Sequence, residues 1–161
     1  MSSKKPLLVL TDFDGTLSLT DVGYEVLLKF SGKGWDDIDR DYCEGRIGSL
    51  EAYGRICAIL DGNREDMLRF VAENTVVDPH FGEFYAFCRE RGVDVKVVSD
   101  GLDFYIDFVL RRHGLAEIPF YSNVMTFESG KPRTIEFPHA NEACSRCGTC
   151  KSGILESCRA D

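Results

Sequence analysis

The sequence predicts an α/β protein with a parallel sheet at its core, and three observations carry that expectation. Leu7-Leu8-Val9-Leu10 is a continuous apolar run ending at polar Thr11-Asp12, the pattern of a strand buried on both faces whose carboxyl end delivers polar groups. Val93-Asp94-Val95-Lys96-Val97-Val98, followed by Ser99-Asp100-Gly101, repeats the plan with a β-branched run. The residues between these runs read as helical, so strand and helix alternate along the chain.

The elements follow in order. Residues 20–76 carry helical periodicity: Leu50, Tyr53, Cys57 and Leu60 share one face, and Met67, Phe70 and Val71 share another after Asn63, an N-cap with Asp66 three residues on. This stretch is expected to be a helical insertion. Phe81, Phe84, Tyr85 and Cys88 form a further stripe, which Gly92 ends just before the second strand. Phe104, Tyr105, Phe108 and Val109 mark the helix after Gly101, closed by His113-Gly114, where a cation suits the helix dipole. Ile118 to Val124 reads as a third strand, and Val124 to Phe137, with Gly130-Lys131-Pro132 inside it, as a hairpin.

Composition limits the partners. The 161 residues are enough for one domain, or one domain with a small insertion; 43% are apolar and 29% charged, as in soluble globular proteins. A net charge of −8 argues against the basic surface that nucleic-acid binding requires, so no nucleic-acid partner is expected. The apolar run at Leu7 is too short for a signal-peptide core or a membrane span. No membrane partner is expected, and the expected location is cytoplasmic. Seven cysteines in such a chain are expected to be reduced, with Cys43, Cys57 and Cys88 as small core residues of amphipathic helices.

The chemistry is concentrated in Asp12-Phe13-Asp14-Gly15-Thr16. Side chains alternate along a strand, so Asp12 and Asp14 are expected to point the same way and share one substrate. Phosphoryl transfer uses such a pair: Asp12 attacks phosphorus, while Asp14 protonates the leaving oxygen and later helps water attack the acyl phosphate. Gly15 would let the backbone turn closely about a phosphate, and Thr16 adds a hydroxyl donor. An ordinary strand-to-turn junction is the bland alternative, since Asp-Gly is common in turns. The full five-residue pattern, however, should arise by chance in only roughly 0.2% of chains of this length.

Leu8 to Thr16 resembles the first motif of haloacid dehalogenase phosphatases, and Val97-Val98-Ser99-Asp100-Gly101 resembles the second, whose serine binds a phosphoryl oxygen. Lys151 resembles the third motif, a lysine that holds the nucleophile and offsets charge on the transferring group. Its context, Phe137-Pro138-His139 and then Cys144 to Lys151, is similar to the phosphoserine-phosphatase-like branch, which includes methionine-salvage and phosphocholine/phosphoethanolamine phosphatases. The resemblance implies a Rossmann-like core from residues 1–18 and 77–161, with residues 19–76 as a small helical cap. It implies magnesium held by Asp12 and the Asp14 backbone carbonyl, Gly15 and Gly101 near the phosphate, and a small phosphorylated metabolite as substrate. Asp21 and Arg55 match cap positions that contact substrate in phosphoserine phosphatases, with solvated charge as the alternative for both.

Cys144-x-x-Cys147-x-x-Cys150 has chelate-like spacing, which His139 or Cys158 would complete as a tetrahedral zinc site. Reduced, unmetallated thiols are the other reading, and the Cys-Pro of iron–sulfur motifs is absent. The family's fourth motif, a further aspartate for magnesium, does not occur before Asp161, so the fold is expected to be incomplete at its C-terminus and magnesium affinity lowered. The first strand would then be a sheet edge open to self-association. A non-catalytic phosphate- or zinc-binding homologue is the competing function.

Overall fold

The computed structural model describes residues 7–160; residues 1–6 and Asp161, which belong to the expected core, lie outside them. The order of elements is β1 (Leu8–Thr11), α1 (Val22–Phe30), α2 (Trp35–Cys43), α3 (Ser49–Cys57), α4 (Arg64–Asn74), α5 (Phe81–Glu90), β2 (Asp94–Leu102), α6 (Asp103–Arg112), β3 (Phe120–Glu128), β4 (Lys131–Glu136) and α7 (Lys151–Ala160). The strands form one sheet in the order β1-β2-β3-β4. β1, β2 and β3 run parallel, with Thr11 opposite Val97 and Val97 opposite Phe120, and β4 returns antiparallel to β3. Among the described residues β1 stands at one end of this order. No helix among the described residues is long and apolar enough to cross a membrane.

Local chemistry explains the helix ends. Asp21 caps α1 by accepting from the Tyr24 N–H at 2.7 Å, and Asn63 caps α4 by accepting from the Asp66 N–H at 2.9 Å. Gly92 adopts φ +64° just beyond α5, a left-handed turn in which a Cβ would be strained. The stretch from α1 to α4 leaves and rejoins the core at one place. There Ser18 and Val77 form an antiparallel bridge, and the Leu19 and Asp78 N–H groups donate to the Val76 and Leu17 carbonyls, each at 2.9 Å.

Three sequence expectations shift. The third strand begins at Phe120 rather than Ile118, because Pro119 has no N–H to give and Ile118 is already packed in the core; the strand runs on to Glu128. α3 buries Ser49, Ala52 and Ile56 rather than the face of Leu50, Tyr53 and Cys57. Its first turn is tied to a distant loop, with the Leu50 N–H donating to the Arg146 carbonyl at 3.1 Å, and that contact sets the rotation of the helix. Cys88 is buried and Cys57 half-buried, but Cys43 is exposed, since Trp35 and Ile38 occupy the buried face of α2. All seven cysteines are free thiols.

Phe13, Leu17, Val97, Leu102, Tyr105, Ile106 and Met67 are essentially inaccessible and join sheet, α6 and α4 in one core. Met67 ties the inserted helices to it. Met67→Ala is expected to lower the unfolding free energy by roughly 2–5 kcal/mol through lost transfer energy and a residual cavity. A urea titration measures this, and a midpoint unchanged from the parent would refute it.

Candidate active site

β1 ends at Thr11, and the chain then winds one helical turn around the Phe13 carbonyl, which accepts from the N–H groups of Thr16 (3.2 Å), Leu17 (2.9 Å) and Ser18 (3.0 Å). Phe13 and Leu17, both fully buried, anchor this turn, and Gly15 at φ +67° lets it close by donating to the Thr20 carbonyl at 3.1 Å. Asp12 and Asp14 do face one pocket, but this turn brings them together, not the strand alternation expected from spacing.

Asp12 accepts at Oδ1 from the Phe13 N–H (2.8 Å) and at Oδ2 from the Lys151 ammonium, an ion pair that closes the pocket from the first turn of α7. Asp14 sits deeper. Its Oδ1 accepts from the Gly23 N–H at 3.1 Å, and its Oδ2 accepts from Tyr105 Oη at 3.0 Å and Ser99 Oγ at 3.3 Å. Burial, reinforced by the nearby Asp21 carboxylate, raises the Asp14 pKa from its ordinary 3.8 to about 6, against the lowering effect of those hydrogen bonds. A carboxyl group so placed holds a proton far more readily than a free aspartate, as a general acid needs.

Ser99, 1% exposed near the end of β2, also accepts from the Gly101 N–H at 2.9 Å. Gly101 is required by close packing: a Cβ there would come within 2.0 Å of Tyr105 Oη and 2.8 Å of Asp14 Oδ2. Tyr105 is therefore a site residue that periodicity reads only as core. Nothing in the sequence pattern reveals its hydroxyl; the small residue opposite, Gly101, is the only hint.

The pocket lies between the sheet's carboxyl end and the inserted helices, with a volume of about 810 Å³. Asp12, Asp14, Ser99, Asp100, Gly101 and Lys151 form its floor, and Tyr24, Leu27, Trp35, Ile38, Tyr42, Tyr53 and Ile56 its roof. Asp21 also reaches it while capping α1. Gly15 and Thr16 do not line it, because the helical turn carries them outward, where both are exposed. Arg55 does not line it either: its guanidinium faces outward, paired with Asp41 at 3.1 Å and Glu51 at 2.5 Å. The i,i+4 spacing of Glu51 and Arg55 was a sequence signal for that outcome.

The expected zinc ligands do not converge. Among the described residues no three His, Cys, Asp or Glu side chains stand close enough to hold a metal ion. The His139 ring packs edge-on against Tyr121 with centroids 5.1 Å apart, and Cys158 Sγ lies 3.7 Å from Lys96 Nζ on another face of α7. Cys150 instead starts α7: its sulfur lies 3.3 Å from Ser152 Oγ and accepts from the Gly153 N–H at 3.4 Å, and these contacts lower its pKa.

Sequence comparison places these residues in a known context. Residues 9–147 match the family described as haloacid dehalogenase-like hydrolase. A 2-hydroxy-3-keto-5-methylthiopentenyl-1-phosphate phosphatase of Brevibacillus brevis is 32% identical over 154 residues, 94% of this chain and 69% of that protein. Its counterpart from Geobacillus kaustophilus is also 32% identical, over 155 residues covering 94% and 69%. A substrate-bound phosphoserine phosphatase superposes with a TM-score of 0.72 at 21% identity, covering 98% of this chain and 72% of that one. A haloacid dehalogenase family hydrolase of Salmonella enterica superposes at 0.73 with 18% identity, covering 96% of this chain and 52% of that one. The structural likenesses establish the fold; the family match over residues 9–147 and the curated relatives, which cover 94% of the chain, establish that this chain belongs to the haloacid dehalogenase-like hydrolases.

Proposed function

We propose that the protein hydrolyses a small phosphomonoester through a phosphorylated Asp12. The observation that carries this reading is the convergence, in one pocket, of the Lys151–Asp12 ion pair with Asp14, whose pKa is raised to about 6. Asp12 Oδ attacks phosphorus, the bond to the leaving oxygen breaks, and Asp14 gives that oxygen its proton. Asp14, now a carboxylate, then takes a proton from the water that attacks the acyl phosphate, which returns Asp12 and releases phosphate. Lys151 and the Ser99 hydroxyl stand where they can bind the phosphoryl oxygens.

A magnesium ion fits the donor set, since the half-exposed Asp12 carboxylate is a hard oxygen ligand at the floor, and the Asp14 backbone carbonyl is the second ligand that the family resemblance implies. Bound there, it would offset phosphoryl charge. The seven free thiols support a reducing, cytoplasmic setting.

The roof narrows the substrate. Among the described residues Lys151 is the one basic side chain lining the pocket, and it is engaged with Asp12, whereas the roof is aromatic and aliphatic. A leaving group with its own carboxylate would find no cation there and would meet Asp21 and Asp39. An uncharged leaving group with an apolar end fits, and the Brevibacillus relative is named for a phosphate that carries a methylthio group beside hydroxy and keto groups. The test is phosphate release with magnesium, before and after chelation by EDTA. An aryl phosphate and an alkyl-thioether phosphate should turn over, and phosphoserine should have a kcat/KM at least roughly tenfold lower. Absence of any magnesium-dependent turnover would sink the phosphatase reading, and equal rates on phosphoserine would sink the leaving-group reading.

A further inference from the structure

We propose that Ser49 and Asp100 are positioning residues that make closure of the helical roof and placement of Lys151 a single event. The inference rests on the phosphatase reading for its catalytic consequence, but its geometry stands apart from that reading. Asp100 follows Ser99 on β2 and is the meeting point of three segments. Its Oδ2 accepts from Ser49 Oγ of α3, and its Oδ1 accepts from the Thr149 N–H at 2.8 Å and from Asn123 Nδ2 of β3 at 3.1 Å. Thr149 lies two residues before Lys151, and its own hydroxyl donates to Asn123 Oδ1 at 3.1 Å. Asn123 and Thr149 are 0% and 2% exposed, so this network is largely shielded from water.

Ser49 belongs to the roof, yet it serves the floor twice. While donating to Asp100, its hydroxyl also accepts from the Gly148 N–H at 3.2 Å. The surrounding backbones are pressed together: the Leu50 N–H donates to the Arg146 carbonyl at 3.1 Å, and Arg146 Nη2 donates to the Gly45 carbonyl at 3.1 Å. Glycine permits the approach on both sides. A Cβ at Gly48 would come within 2.1 Å of the Arg146 carbonyl oxygen, and one at Gly148 within 2.5 Å of Asn123 Oδ1. When the roof lifts, Ser49 departs, and the Asp100 carboxylate and the Gly148 N–H lose a partner together. Both groups hold the loop that presents Lys151 to Asp12. An open roof therefore loosens the lysine, and a closed one sets it while excluding water from the acyl phosphate.

The test uses the full chain and two readouts that need no substrate. Trp35 is the sole tryptophan, is 8% exposed and lines the roof, so acrylamide quenching of its fluorescence reports opening. Acylation of the Lys151 amine, followed by peptide mass spectrometry, reports release of the lysine. Ser49→Ala is expected to raise both several-fold and to lower kcat roughly ten- to hundredfold with KM changed less than threefold, while Ser49→Thr, which keeps the hydroxyl, recovers most of each. Asp100→Asn, which preserves shape, is expected to raise both readouts too and decides the matter if Ser49→Ala does not fold. Quenching that rises without Lys151 acylation overturns the proposal, as does a loss of activity with neither readout moving, or no change in any of them. An inactive parent protein would instead refute the phosphatase reading and leave the two substrate-free readouts to judge this one.

Discussion

Asp12→Asn should reduce phosphate release by roughly four orders of magnitude or more while leaving the fold nearly as stable as before. The amide has no anionic oxygen with which to attack phosphorus, so the covalent route closes altogether. Geometry adds a second effect. Oδ1 of Asp12 is committed to the Phe13 N–H, so an asparagine that keeps this bond must turn its NH2 toward the Lys151 ammonium, setting donor against donor. Lys151 would then swing away and no longer cover the phosphoryl oxygens. Stability should change little, because the lost ion pair is 38% exposed on Asp12 and 50% on Lys151, and such pairs contribute at most about 1 kcal/mol. Phosphate release and a urea titration on the same preparation separate the two effects. Retention of more than a tenth of the parent rate would exclude Asp12 as nucleophile. Mass spectrometry of quenched turnover mixtures gives an independent check: a phosphoryl adduct on the peptide containing Asp12 in the parent, and none in the variant.

The sequence makes the floor of this site legible and leaves its roof largely unread, for a physical reason. Residues on the floor are fixed by short-range chain geometry. An apolar strand must end somewhere, Gly15 must turn, and Ser99 follows its own β-branched run, so Asp12, Asp14 and Ser99 can be placed from local pattern. The Asn63 cap and the turn at Gly92 are local in the same sense, and the structure has both. Tyr105 and Ser49 are different. Helical periodicity places the Tyr105 ring in the core correctly, yet the destination of its hydroxyl depends on Gly101 leaving room beside Asp14. Ser49 gives no local signal, because its partners lie 51 residues away at Asp100 and 99 away at Gly148. The cysteine spacing misleads in the opposite direction: Cys144, Cys147 and Cys150 line one pocket, yet among the described residues no three such side chains stand close enough to hold an ion, and the His139 ring packs on Tyr121 instead of joining them. A chelate needs convergent side-chain directions as well as spacing.

Asp14→Asn is expected to abolish most activity and to stabilise the metal-free protein at neutral pH, a pairing that separates a functional group from a structural one. Without its acid the leaving oxygen must depart unprotonated, which costs roughly 10²–10⁴-fold in rate. The stability gain follows from proton linkage. The unfolded chain releases the Asp14 proton near the ordinary pKa of 3.8, whereas the folded protein keeps it until about 6. Between those values the native state binds more protons than the unfolded state, so stability falls as pH rises through this window. Above it, ionising the buried carboxyl costs the fold about 3 kcal/mol. An asparagine escapes that cost: its oxygen can still accept from the Gly23 N–H, and its NH2 can face the Tyr105 and Ser99 hydroxyls, which rotate to accept. In EDTA-treated protein the variant should therefore be more stable than the parent at pH 8 by an amount approaching that figure, and the advantage should fade as the pH falls from about 6 through 3.8, well below which Asp14 is neutral in both states. Equal stability at pH 8 would mean that Asp14 is not held in a desolvated site. Stability bought by removing the acid would show that the fold sustains this carboxyl for chemistry, against its own thermodynamic preference.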